Sequence, residues 1–465
     1  MSDDLLNCYE ETNIQNTKLP ISWRSQSELD ELSQFLQTNW EHRSVFYDDG
    51  EIASRQQFLT FTGQKGIRTG RYIGTIAFKG QHLNIFPKMF KPDKDNHDTQ
   101  DLSMAHLMKN LVQWIDYCNR FDYPHIYVKS NFEDSSDLKD LFVTLYIHYV
   151  KSAIERGLFY QYEDRQTSYG SIKGKFDLRE YVCNKIPFGK ANSLPCTFSS
   201  FEVDNRLNRI IKYTCKLLSS NAKKPNQRLL RFIHTKLGEV SDVNCVPSDC
   251  DAVLLSRLHR NYRVVLSMSK MFLLNQLSTF DMDNNESFCF LFPTHYLFEG
   301  FIGGFMQSAL AHMAKVRLHA SEVALVEDII IEERSFGKAF TMRHDILVEH
   351  KDKGLYIFDT KYKEISRIKG NPDAYSALMS EAKQPDIYQV FTYAIKRDIK
   401  DVYLLYPMYR LEDENDAIPT MFIPFTVDGL SYSLKVHIVR LPFVFDGDAD
   451  LLKLRLAAIV QSFFE

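Results

Sequence analysis

Between residues 103 and 276 the apolar positions of the chain recur at intervals of three and four, the period of a buried helix face. AHLMKNLVQWIDYC (105–118), DLKDLFVTLYIHYVKSAIERG (137–157), DNRLNRIIKYTCKLL (204–218) and LSRLHRNYRVVLSMSKMFLL (255–274) each predict an amphipathic helix. Residues 25–39 predict another, opened by a capping box in which Ser25 and Glu28 would satisfy each other's backbone amides. Shorter β-like runs, QFLTFT (57–62), RYIGTIAF (71–78) and HLNIFP (82–87), predict strands, and the glycine-rich GQKGIRTG (63–70) reads as a basic loop between the first two. Residues 158–200 form an insertion of turns and strands, and the polar KPDKDNHDTQDL (91–102) suits a boundary.

The last third changes period. An apolar helix containing LFEGFIGGFMQSALAHM (297–313) leads into strand-like segments. MRHDILVEH, the turn KDKG and LYIFDTKYK then read as a hairpin closed by Gly354. A helix over about 381–397, the strand VYLLYP, two more β-like runs in 421–443 and a closing helix at 448–464 complete the pattern. Helix, antiparallel strands, helix and strand in that order imply an α/β unit with a mixed central sheet. The whole is an α+β multidomain chain: a β-rich N-terminal domain (1–95), a mainly helical middle region (96–276) and a C-terminal α/β domain (277–465).

Composition narrows the class. With 44% hydrophobic and 25% charged residues the chain can bury a sizeable core. A formal net charge of −4 supplies no global basic field, so any nucleic-acid contact must come from a local patch. The eight cysteines form no CxxC pair, which predicts reduced thiols and a cytoplasmic protein. The acidic, polar first residues are unlike a signal peptide, and no apolar run approaches the ~18 residues that span a bilayer. No membrane partner is expected.

The chemistry concentrates in the hairpin. Strand side chains alternate, so Asp359 and Lys361 share a face with Thr360 opposite, and Asp345 can reach the same patch from the neighbouring strand. Two carboxylates that close repel unless a cation lies between them, and hard oxygen donors favour Mg2+ or Mn2+. Lys361 could then orient a water or balance charge growing on a phosphate. On the helix that follows, Gln389 and Tyr393 are four apart and share a stripe, with Asp386 three before Gln389. Glu299, an acid inside an apolar helix, could add a carboxylate. The candidate metal-holding set is therefore Asp345, Asp359, Thr360 and Glu299. His344, beside Asp345, alternates away from it and is not expected to be a ligand.

D…DxK followed by QxxxY resembles the PD-(D/E)xK nuclease superfamily in its RecB-like branch, with His344 where the name would put proline. RYIGTIAFKGQHLNIFPKMF, GLFYQYEDRQTSYGSIKGKFD (157–177), CTFSSFEVDNRLNRIIKYT (196–214) and the Leu297-Phe298-Glu299 helix resemble, in order, the McrC family of McrBC-type restriction systems. That resemblance implies a Mg2+-dependent DNA endonuclease domain, with Asp345, Asp359 and Lys361 catalytic and Gln389 and Tyr393 supporting them. It also implies an McrB-like AAA+ GTPase ring as partner, double-stranded DNA as substrate, and self-association for cutting both strands. The chain carries no G-x-x-x-x-G-K-[ST], so it has no nucleotide site of its own and a motor must come from another chain. Lys65, Arg68 and Arg71 are the candidates for contacting the ring; the alternative is a solvated hairpin loop. Arg257, Arg260 and Arg263 are placed near one helical face and could contact DNA phosphates, against the alternative of a solvated face. A motor-independent RecB-like nuclease, or a non-catalytic adaptor that activates an NTPase, would be the competing functions.

Overall fold

The computed structural model describes residues 5–20, 23–41, 55–62, 66–91, 104–118, 138–219, 222, 224–256, 259, 261–277, 287–331, 334–335, 337–363, 384–408, 420–427, 430–445 and 449–464. The chain opens with β1 (Leu5–Tyr9) and β2 (Asn13–Gln15), followed by a helix over Gln26–Glu41. That helix starts where the capping box puts it: the Glu28 amide donates to Ser25 Oγ at 3.3 Å, and the Ser25 hydroxyl reaches Glu28 Oε2 at 2.7 Å. Leu29, Leu32, Leu36 and Trp40 form its buried stripe.

β3 (Leu59–Phe61), β4 (Gly66–Thr69), β5 (Tyr72–Phe78) and β6 (Gln81–Phe86) follow. β4 lies between β2 and β3 in a three-stranded sheet, so the second half of GQKGIRTG is strand, not loop. Pairing on both sides overrides the turn signal of its glycines. Next come helices at Met104–Tyr117 and Leu138–Arg156, then β7 (Gln161–Tyr169), β8 (Lys175–Phe176) and β9 (Leu194–Glu202) as a small separate sheet. Helices at Arg206–Ser219, Lys224–Lys236 and Asn261–Leu277 complete the middle region. The last begins six residues later than the periodicity of 255–274 predicts.

β10 (Phe288–Pro293) leads into the helix Thr294–Ala309. Although distant in sequence, β10 pairs antiparallel with β5, giving a four-stranded sheet ordered β1-β6-β5-β10. A residue range expected in the C-terminal domain thus closes the N-terminal sheet. One buried cluster likewise runs from Ile73 through Trp114, Tyr146 and Phe301 to Phe464, across all three expected segments. Trp114 shows how they are joined. Its ring stacks on Phe443 at 4.2 Å and its indole N–H donates to the Phe443 carbonyl at 2.7 Å.

The remaining strands are β11 (Ala314–Val326), β12 (Ile330–Ile331), β13 (Arg334–Ser335), β14 (Ala339–His350), β15 (Gly354–Thr360), β16 (Asp401–Met408), β17 (Thr420–Val427) and β18 (Leu430–Pro442). The helix Gln384–Arg397 precedes β16 and the helix Ala449–Ser462 closes the chain. The described residues build a six-stranded sheet ordered β11-β14-β15-β16-β18-β17. β15, β16 and β18 are parallel to one another while the outer pairings are antiparallel, so the sheet is mixed as expected. One face packs Ile346, Val348, Phe358 and Leu405 against helices Thr294–Ala309 and Ala449–Ser462. The other packs Leu347, Ile357, Val402 and Leu404 against Val390 and Ala394 of Gln384–Arg397. A sheet covered on both faces needs near-continuous apolar strands, which is what LYIF and VYLLYP are.

All eight cysteines are free thiols. No helix among the described residues is long and apolar enough to cross a membrane.

Candidate active site

The turn Lys351–Lys353 and Gly354, held at φ 93°, fold β14 back onto β15 in the register Ile346↔Phe358 and Leu347↔Ile357. This puts Asp345 and Asp359 at the same end of the hairpin. β15 stops at Thr360, where the Lys361 amide donates to the Leu405 carbonyl of β16 at 2.8 Å. The acids and the lysine therefore sit at the carboxyl end of a parallel strand pair, the usual place for ligands on an α/β sheet.

Asp359 is 1% exposed. The Lys361 ammonium lies 2.5 Å from its Oδ2, and the same ammonium donates to Gln389 Oε1 at 3.2 Å. Gln389 Nε2 in turn donates to Tyr393 Oη at 3.1 Å. Four of the five residues expected to work together thus form one linked group, with the Gln389–Tyr393 stripe laid over the end of β15. Asp345 is tied in from the other strand. Its Oδ2 accepts from the Thr360 amide at 2.8 Å and the Thr360 hydroxyl at 2.9 Å. Thr360 therefore spends its side chain on orienting Asp345.

The electrostatics follow from burial. Desolvation pushes the Asp359 carboxyl up to about 7, the nearby charge of Asp345 adds to the rise, and Lys361 opposes it. Asp345 is raised by the same desolvation and further by Glu299, against the pull of Lys361 and the Thr360 hydrogen bonds. Burial would lower Lys361, but Asp359 and Asp345 outweigh it and hold the ammonium charged. Asp359 is thus strained by burial and by Asp345, which Lys361 only partly relieves. Asp359 Oδ1 is buried without a hydrogen-bond donor, and Oδ2 has the charge of Lys361 close by but no aligned donor. Close approach without alignment is an ion pair, and it leaves acceptor capacity unused.

Such a donor set suits a hard cation. Among the described residues no group of three or more His, Cys, Asp or Glu side chains is gathered tightly enough to hold a metal alone. Mg2+ does not require one, because it keeps several waters and commonly binds through one or two carboxylates. The Oδ1 of Asp359 and the repulsion between Asp345 and Asp359 are what it would satisfy. Glu299 stands behind them, with its Oε1 3.0 Å from His319 Nδ1. Next to Glu299, Gly300 lets this helix pack closely on Cys118: a Cβ there would lie 2.1 Å from Cys118 Sγ.

His344 has a role that alternation alone did not reveal. Its Nε2 accepts from Arg397 Nε at 2.8 Å, and its ring meets Tyr393 edge-on at 4.6 Å. The neighbouring strand is irregular here: His319 of β11 sits at φ 51° and the register shifts between Ala320 and Val323. His344 and its partner Ala320 face the Gln384–Arg397 helix, whereas Ile346 faces the opposite layer. His344 thus braces Tyr393 without joining the acids. Lys363 and Asp386, paired at the start of the same helix, also escaped the sequence reading beyond the position of Asp386.

The basic candidates are more dispersed. Arg68 is exposed in the middle of β4. Arg71 pairs with Glu11 at 2.8 Å, so part of its charge is already used. Arg263 is exposed on its helix. Lys65, Arg257, Arg260 and the segment 364–380 lie outside the described residues.

A family profile described as McrBC 5-methylcytosine restriction system component matches residues 67–407. The chain belongs to this family. The match reaches from β4 to the end of VYLLYP and so contains the whole Asp345–Tyr393 group. Among solved structures, the chain is similar to one in a half-complex from the tetradecameric assembly of Thermococcus gammatolerans McrB AAA+ hexamers with bound McrC. The two share 15% identity at a TM-score of 0.57, over 98% of this chain and all of that one, a likeness of fold. A second match, in the Thermococcus gammatolerans McrBC complex, has 18% identity and a TM-score of 0.43 over 68% of this chain and 89% of that one. No curated protein matches the sequence. The McrBC membership and the mixed α+β architecture agree with the McrC resemblance of the sequence.

Proposed function

We propose that this McrBC-family chain is the DNA endonuclease subunit of a GTP-dependent restriction system, with a PD-(D/E)xK site at the open end of its mixed sheet. The observation that carries the reading is the buried linkage Asp345–Thr360 and Asp359–Lys361–Gln389–Tyr393. Two acids forced together in a dry site, with a lysine held between them and a glutamine, suit phosphodiester hydrolysis better than structural support. A purely structural ion pair would gain nothing from a second unneutralised carboxylate.

Asp345 and Asp359 would hold Mg2+, with Glu299 placed to reach it through water and the Thr360 side chain fixing Asp345. When bound, the metal lowers the pKa of a coordinated water and stabilises charge on the phosphoryl oxygens. Lys361 then orients the attacking water or balances the phosphate, and Gln389 and Tyr393 keep its ammonium directed at the cleft. The partner would be an McrB-like AAA+ GTPase ring, met by the N-terminal sheets and Arg68, whose GTP hydrolysis this chain stimulates.

The test is Mg2+-dependent cleavage of methylated and unmethylated plasmid by the purified chain, with and without the partner GTPase and GTP, using Asp359→Ala as control. Cutting that needs partner and GTP and disappears in the mutant supports the reading. Cutting by the chain alone, equally with or without GTP, would make it a motor-independent nuclease. No cutting, with GTP hydrolysis stimulated equally by both forms, would make it an adaptor.

A further inference from the structure

The residue that follows Lys361 is held from the other end of the chain. Tyr362 is buried with its ring against Phe298 and Phe443, at 6.0 and 6.1 Å, and its hydroxyl donates to Glu10 Oε1 at 2.6 Å. Glu10 comes directly after β1 and is 2% exposed. Its Oε1 also accepts from the Lys88 amide, at 3.0 Å, and its Oε2 from the Thr294 hydroxyl, at 2.7 Å. Thr294 is the first residue of the helix that carries Glu299.

One buried carboxylate thus gathers three segments: the end of the N-terminal sheet, the start of the Glu299 helix and the residue beside Lys361. Neighbouring contacts reinforce the junction. The Lys88 ammonium lies 4.9 Å from the centre of the Tyr362 ring and 2.8 Å from Glu11 Oε2. Arg71 pairs with the other oxygen of Glu11, while its carbonyl accepts from the Thr294 amide at 3.1 Å. Burying an acid is expensive, and apolar side chains of similar size would fill this space at lower cost. What an acid adds is geometry, since its oxygens accept only from donors placed correctly.

We propose that Glu10 is a positioning residue which, through Tyr362 and Thr294, fixes Lys361 and the Glu299 helix relative to the N-terminal sheet. The sheet is thereby coupled to the cleft, and a displacement of β1 reaches Lys361 across one peptide bond. This inference rests on the nuclease reading for its consequence in cleavage, but not for the coupling itself.

The test uses the full chain with its partner GTPase and compares Tyr362→Phe and Glu10→Gln with the unaltered protein. Tyr362→Phe removes one hydroxyl and keeps the ring, so it guards against a Glu10→Gln variant that does not fold. Plasmid cleavage is measured as kcat and KM beside stimulation of GTP hydrolysis. In a second arm, lysines are reductively 13C-methylated and the Lys361 resonance, assigned with Lys361→Arg, is followed by NMR. The expected result is a shifted Lys361 resonance, with kcat lowered at least about tenfold while KM and GTP hydrolysis hold. A Lys361 resonance unmoved in Tyr362→Phe overturns the proposal whatever cleavage shows. So does a kcat loss matched by an equal loss of folded protein. If the unaltered complex cuts nothing, the nuclease reading fails, and the NMR arm still decides the coupling.

Discussion

The ammonium of Lys361 lies 2.5 Å from Oδ2 of Asp359, two residues before it on the same strand end. The strand period puts both side chains on one face, and the Gln384–Arg397 helix supplies Gln389 to hold the ammonium at 3.2 Å. Replacing Lys361 by Met keeps the stem and removes the charge. Cleavage should fall by at least about a hundredfold, as for loss of a preorganised charge at a transition state. Gln389→Ala should cost about tenfold, because a single hydrogen bond to a charged group is lost. Single-turnover cleavage of a defined duplex checks both.

Burial raises the Asp359 carboxyl and the charge of Asp345 raises it further, so removing the Asp359 charge should relieve the metal-free fold. Asp359→Asn is expected to melt at the same temperature as the unaltered chain or higher when no divalent cation is present. Saturating Mg2+ should raise the melting temperature of the unaltered chain by at least about 2 °C and leave the variant unmoved. Differential scanning calorimetry with and without EDTA reads this without any cleavage assay.

His344 is buried beside Arg397, and burial first, then that guanidinium, lowers its pKa from 6.5 to about 4. The folded protein therefore holds the ring neutral where the unfolded chain would protonate it. Its contribution to stability is complete above pH 6.5 and is lost as the pH falls toward 4. Urea midpoints measured at pH 7.5 and pH 5 should converge in His344→Gln relative to the unaltered chain.

Arg68 and Arg71 should separate. Arg71→Glu opposes Glu11, whose carboxyl is held down at about 2 because Lys88 and Arg71 outweigh its burial. That variant should lose melting temperature. Arg68→Glu, exposed on β4, should fold normally and lose stimulation of the partner's GTP hydrolysis. Unchanged stimulation by Arg68→Glu would remove this residue from the partner surface.

Gly300 permits the close approach of the Glu299 helix to Cys118. Gly300→Ala should destabilise by about 1–3 kcal/mol through overpacking. Adding Cys118→Ala, which removes the sulfur 2.1 Å from the new methyl and leaves its own Cβ at 3.4 Å, should restore most of the loss. Chemical denaturation of the single and double variants measures the recovery.

The local periods of the sequence were enough to locate the hairpin, the DxK tripeptide and the Gln389–Tyr393 stripe, because a strand repeats every two residues and a helix every 3.6. They also placed the capped helix at Ser25–Glu28 and the helices at 104–117 and 138–156. Where the pattern was weak they were silent. The helix Lys224–Lys236 buries few positions and passed unread, and Leu5–Tyr9 is too short to show alternation. Other features depend on partners that are remote in the chain. β4 is strand because β2 and β3 flank it, β10 closes a sheet begun at Leu5, and His344 packs under Tyr393 across the sheet face. Residue type and spacing are local, so the order of residues was enough to show which of them could do chemistry. That Glu10 lies beneath Tyr362 and that Asp359 is dry emerged with folding, because burial and long-range hydrogen bonds belong to the packed chain.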